Sequence, residues 1–103
     1  MLNRKNKKIR KTESIFEEAT RITSKDRQKR YGPPRNNLAN TASLWTAFLN
    51  RKYGAEFVLT ARDVALLQIL LKISRDANKP SRENLVDICG YVACAESLMD
   101  VYD

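Results

Sequence analysis

The chain has 103 residues, 43% apolar and 30% charged, with a formal net charge of +7, two cysteines and no histidine. That length allows one modest core and hence one domain. The absence of histidine excludes Ser–His and Cys–His catalysis and argues against a zinc site. No apolar run is long enough to span a membrane, and none follows the basic start as a secretory signal requires.

The positive charge is not spread evenly. Residues 1–12, MLNRKNKKIRKT, hold six basic residues (Arg4, Lys5, Lys7, Lys8, Arg10 and Lys11) and no acid. The rest, residues 13–103, carries 13 basic against 12 acidic residues and is nearly neutral. The expectation is a disordered or extended basic tail followed by a single domain. Such a tail can hold nucleic-acid phosphates through counterion release, or be a solvated arm. It has no interleaved aromatics on which bases could stack.

Ser14-Ile15-Phe16-Glu17 has the form of a capping box, with a hydroxyl and a carboxylate exchanging hydrogen bonds with backbone amides. Ile15, Ala19 and Ile22 then recur at helical spacing. A first helix is predicted from about 14 to 24, extending up to 29. Gly32-Pro33-Pro34 stops it, because proline lacks the backbone donor and restricts the residue before it. Asn36 or Asn37 can cap a second helix, about 37–52, whose apolar face is Leu38, Ala42, Trp45, Phe48 and Leu49; Gly54 ends it. The connector AEFVL is apolar enough to tuck into the core.

Thr60-Ala61-Arg62-Asp63 is another cap signal. From Val64 to Ile73 apolar residues run almost all the way round, interrupted by a polar stripe of Gln68, Lys72 and Arg75. That pattern predicts a central third helix packed on several sides, one able to pair across a homodimer. It ends at Asn78-Lys79-Pro80. Ser81 caps a fourth helix, about 82–101, with Leu85, Val86, Ile88, Cys89, Val92 and Leu98 as apolar members. Cys89 and Cys94 match no metal spacing and read as small thiols in a reducing compartment. The fold class expected is all-α: a small antiparallel four-helix bundle with a Gly/Pro elbow between the first two helices.

Three polar groups stand apart from this core. The elbow contains Asp26, Arg27, Tyr31 and Asn37. Lys72 and Arg75 lie one turn apart on the third helix. The fourth helix carries Glu83, Asn84, Asp87 and Tyr91, of which Glu83, Asp87 and Tyr91 are spaced i, i+4 along one face. Each has a plain structural reading: a wet helix face for the cations, an ion-pair partner for Asp87, the helix dipole for Glu83, ring packing for Tyr31. The functional reading places all three in one pocket. Arg27, Lys72 and Arg75 would hold phosphate, Glu83 and Asp87 would hold Mg²⁺, Tyr31 would lie against a base and Asn37 would read its edge. Metal and fixed cations are the usual equipment for phosphate chemistry.

The stretches DRQKRYGPPRNNLANTASLW, LTARDVALLQILLKISR and ENLVDICGYVACAESL resemble a family of small phage and prophage proteins of unknown function. Its pattern is D-R-x-x-x-Y-G-x-P-x-x-N, then D-V-A-x-x-x-x-L-L-K-x-x-R, then V-D-I-x-G-Y, over residues 14 to 99. By that resemblance the signature positions fall on Asp26, Arg27, Tyr31, Gly32, Pro34, Asn37, Asp63, Lys72, Arg75, Asp87, Gly90 and Tyr91. Arg30 departs from it, standing where the family often has an acid. The resemblance implies a phage origin, a helical fold and the cytoplasm of a bacterial host, with no established activity. A looser similarity, in the E-x-x-x-D face and the helical layout, is to MazG-like nucleoside triphosphate pyrophosphatases and phage nucleotide-modification-associated domains. Those pyrophosphatases bring an early E-x-x-E pair, which adjacent Glu17 and Glu18 do not reproduce, so binding without turnover is the expectation. The alternatives are a module that binds and modulates a host protein or defence complex, and a non-specific nucleic-acid binder acting through the tail.

Overall fold

The computed structural model describes residues 13–23 and 34–99. Within them the chain forms four helices and no strand: α1 Ile15–Ile22, α2 Pro34–Tyr53, α3 Ala61–Asn78 and α4 Arg82–Ser97. The expected all-α architecture is present. The tail and the part of the elbow at 24–33 lie outside the described residues.

The cap signals act as their chemistry dictates. Ser14 accepts from the Glu17 amide at 3.0 Å, and Glu17 accepts from the Ser14 amide at 3.3 Å. Thr60 and Asp63 form the same reciprocal pair at 3.1 and 2.9 Å. Ser81 accepts from the Asn84 amide at 3.2 Å. Each box satisfies amides that have no partner inside their own helix. Gly54, at φ 61°, takes the left-handed conformation that terminates α2. Two boundaries differ from expectation. Asn36 and Asn37 lie inside α2, which starts at Pro34, a residue whose missing N–H costs nothing in a first turn. The last helix stops at Ser97, where the Leu98 amide closes back onto the Cys94 and Ala95 carbonyls.

The helices pack in the order α1–α4–α3–α2. Three residues join α3 to α4, so these two run antiparallel. Polar side chains mark the register: Lys72 meets Asp87, and one turn on, Asp76 meets Asn84. No short loop ties α1 to α4. Glu18 lies by Arg82 and Thr23 by Gly90, so α1 follows α4 in the same sense.

The core is small. Among the described residues the buried apolar ones are Ala19, Ala42, Val64, Ala65, Val86 and Ala95, and none is larger than valine. Two expectations are corrected here. AEFVL does not enter the core: Phe57 and Val58 are exposed, and the segment is pinned from outside. Asn50 clasps the Phe57 backbone through both its amide groups at 2.8 and 2.9 Å, and Thr46 accepts from the Leu59 amide at 3.0 Å. Nor is α3 enclosed on all sides. Leu66, Leu67, Leu70, Leu71 and Ile73 are all exposed, Leu70 at 60%, while Lys72 is buried at 3%. Periodicity reports that a helix has an apolar arc, not which way the arc faces. Here Asp87 on α4 draws Lys72 inward, while Arg75 of the same stripe stays exposed.

Candidate functional site

The seam between α3 and α4 holds the densest buried polar chemistry among the described residues. At its centre Lys72 Nζ lies 3.0 Å from Asp87 Oδ2, with side chains 3% and 12% exposed. At that distance the two charges are an ion pair. Oδ2 is buried and takes no hydrogen bond from the described residues. A carboxylate oxygen with unused acceptor capacity is unusual inside a protein.

Toward the α3–α4 turn the seam continues through Asp76. Its Oδ1 accepts from the Ser81 amide at 3.0 Å and from the buried Asn84 side-chain amide at 3.3 Å, while Asn84 also donates to the Lys79 carbonyl. On the far side of α4, the buried Glu18 of α1 pairs with Arg82 at 3.2 Å, and Arg82 also donates to the Glu13 carbonyl at 3.0 Å. The Glu13 side chain holds Arg21 by two hydrogen bonds, at 2.9 and 3.1 Å, and these raise the guanidinium above its ordinary value. Arg82 thus ties the start of α1 to the first turn of α4.

Of the residues singled out in the sequence, the seam gathers Lys72 and Asp87. Glu83 and Tyr91 lie one turn either side of Asp87 on α4, both half-buried and both engaged in contacts of their own. Arg75 does not join Lys72: it is exposed, and Asp76 takes the inward position instead. The third helix therefore brings one cation to the seam, not two. The reading of Lys72 as part of a wet face is likewise overturned by its burial. Asn37 is exposed on the first turns of α2, with its backbone carbonyl accepting from Thr41 at 3.0 Å. Asp26, Arg27 and Tyr31 lie outside the described residues, as do Arg4, Lys5, Lys7, Lys8, Arg10 and Lys11. Among the described residues no three Cys, Asp or Glu side chains are grouped to hold a metal. Glu83 and Asp87 supply two carboxylates at most, so a Mg²⁺ ion there would need ligand phosphates to complete its shell.

Glu18, Asp76 and Arg82 escaped the sequence reading. Glu18 did leave a signal, since it shares the stripe of Ile15, Ala19 and Ile22 and an acid on an apolar stripe needs a partner. Arg82 left none, because a basic residue in a first turn opposes the helix dipole and looks misplaced without its acid.

A family profile described as "Domain of unknown function (DUF6378)" matches residues 14–99. The chain is 36% identical over 90 residues to the "Gene 55 protein" of Mycobacterium phage D29, a match covering 86% of this chain and 56% of that protein. It is 38% identical over 86 residues to the "Gene 55 protein" of Mycobacterium phage L5, covering 82% and 52%. The chain thus spans about half the length of these curated relatives. No solved structure gives a significant match. Among the described residues no helix is long and apolar enough to cross a membrane.

Proposed function

The chain belongs to the DUF6378 family, whose matched relatives are phage proteins, and on that premise we propose that it binds a nucleotide or similar phosphate ligand in the host cytoplasm. The supporting observation is the buried Asp87 Oδ2, charged, beside Lys72 and without a hydrogen bond from the described residues. An ion pair buried among alanines and valines adds little stability over an apolar pair of the same volume. Its presence at the centre of a small domain is better explained by a ligand. Asp87 would accept from a sugar hydroxyl or base amine. Lys72 would contribute a desolvated positive charge toward phosphate, and the exposed Arg75 a second cation at the rim. Glu83 and Asp87 would hold Mg²⁺ together with the ligand's own phosphates. Asn37, exposed on the first turns of α2, would add an amide to the ligand's polar contacts.

The test is a panel of nucleoside mono-, di- and triphosphates, scored by thermal shift with and without Mg²⁺. The full chain should be stabilised by at least one member. The double variant Lys72→Met/Asp87→Leu, which keeps the seam filled, should fold and lose that shift. A panel without any shift, or a double variant that keeps it, would overturn the reading.

A further inference from the structure

The outward arc of α3 is built for another helix. Leu66, Leu70, Ile73 and Ala77 follow one another at spacings of four, three and four, the pattern of a coiled-coil seam, and Leu67 and Leu71 flank them. All six are exposed. The five large ones stand 38%, 39%, 60%, 42% and 51% open (Leu66, Leu67, Leu70, Leu71 and Ile73). At roughly 200 Å² for a fully open large side chain, that is about 450 Å² of apolar area on one helix face, the size of patch that on a monomer is often functional. Leu44 and Phe48 of α2 are exposed as well, at 71% and 62%.

We infer that this face is closed by a second copy of the chain, α3 packing on its own symmetry mate about a two-fold axis beside Leu70. Two observations select that occupant. The first is the composition of the arc. Between Leu66 and Ala77 its members are leucines, one isoleucine, alanine and Ser74, with Lys72, Arg75 and Asp76 lying off it. In a two-fold interface each residue near the axis meets its own copy, so a face without charge can meet itself without repulsion. A partner of opposite charge would need a charged face. The second is the size of the core. Among the described residues two valines are the largest fully buried side chains, while 13 large apolar residues stand open. A deficit that deep calls for a partner present whenever the chain is folded, which a second copy always is. The α3 arc alone supplies about 450 Å² per partner, over half of the ~800 Å² of an ordinary stable complex, and so forms the centre of an interface whose rim takes in the surface around it.

The test is the mass of the full chain in solution across 1–100 µM, by sedimentation or light scattering. The expected result is twice 11.8 kDa. Leu70→Asp should drop the mass to that of one chain, by setting two carboxylates against each other at the axis, and Leu70→Lys should do the same. An equimolar mixture of the two variants should restore the dimer, and this holds as a test even where each variant alone fails to fold. A wild-type chain that stays at single mass throughout would overturn the inference. So would a Leu70→Asp variant that remains dimeric, or a mixture that restores nothing.

Discussion

Removing the Asp87 carboxylate is the perturbation whose magnitude the structure fixes best. In Asp87→Ala, Lys72 keeps its charge at 3% exposure and loses its counter-charge at 3.0 Å. Breaking one partner of a buried pair costs about 3–5 kcal/mol, because the remaining charge is neither solvated nor compensated. A domain of this size has only about 5–10 kcal/mol in all, so the variant should lose roughly half its stability. At about 4–8 °C per kcal/mol, its melting midpoint should fall by ~15–30 °C. Lys72→Met/Asp87→Leu removes both charges at similar volume and should recover to within ~2 kcal/mol of the parent, or exceed it. The assay is urea unfolding followed by far-ultraviolet circular dichroism, at one fixed protein concentration, comparing midpoints at unchanged slope. If Asp87→Ala kept the parent's midpoint, the pair would be solvated and the seam would not be closed. If the double variant were as weak as the single one, the loss would come from packing rather than from an orphaned charge.

The other predictions are simpler. Gly90 is buried in the middle of α4, yet an added Cβ would meet Thr23 Cγ2 at 3.5 Å, an ordinary contact. Gly90→Ala should therefore stabilise the fold by ~0.5–1 kcal/mol through helix propensity, and thermal melting would expose the opposite sign if α1 sits closer than this. Deleting residues 1–12 removes six of the 19 basic residues. The truncated chain should elute from immobilised DNA at much lower salt while keeping any nucleotide-induced shift, and unchanged elution would dismiss the tail as a nucleic-acid arm. Melting of the full chain should also depend on concentration: each tenfold dilution lowers dimer stability by ~1.4 kcal/mol, which a midpoint independent of concentration would contradict.

The local structure of this chain is legible because its signals act over three or four residues. Ser14 with Glu17, Thr60 with Asp63, and Ser81 each determine a helix start through bonds to nearby amides. Gly54 ends α2 because it can adopt a positive φ. Antiparallel packing across a short loop brings the cations of α3 toward the acids of α4, but the sequence leaves open which of Lys72 and Arg75 meets Asp87. What could not be read is everything set between helices. The inward position of Glu18 depends on Arg82, 64 residues away. The outward position of AEFVL depends on one asparagine that clasps its backbone instead of letting it fold under.

The largest misreading, of α3, joins the two proposals. A helix apolar nearly all round looks like the middle of a monomer, because that is the only place a single chain can hide it. The chain instead gives Lys72 and Asp76 to α4 and its leucines to the outside. Neither choice is sensible alone: an ion pair facing inward adds little to stability, and leucines facing water subtract from it. They become consistent if the monomer is half of the folded object. In a dimer closed on the leucine face, α3 lies in the interior of the assembly with a copy of itself on one side and α4 on the other. The outer arc then supplies the apolar burial that Val64 and Val86 cannot. That burial offsets the cost of enclosing Lys72 and Asp87 near the centre, where water no longer screens them and their field on a phosphate is strongest. The greasy face and the charged seam are thus two sides of one helix, each making the other tolerable.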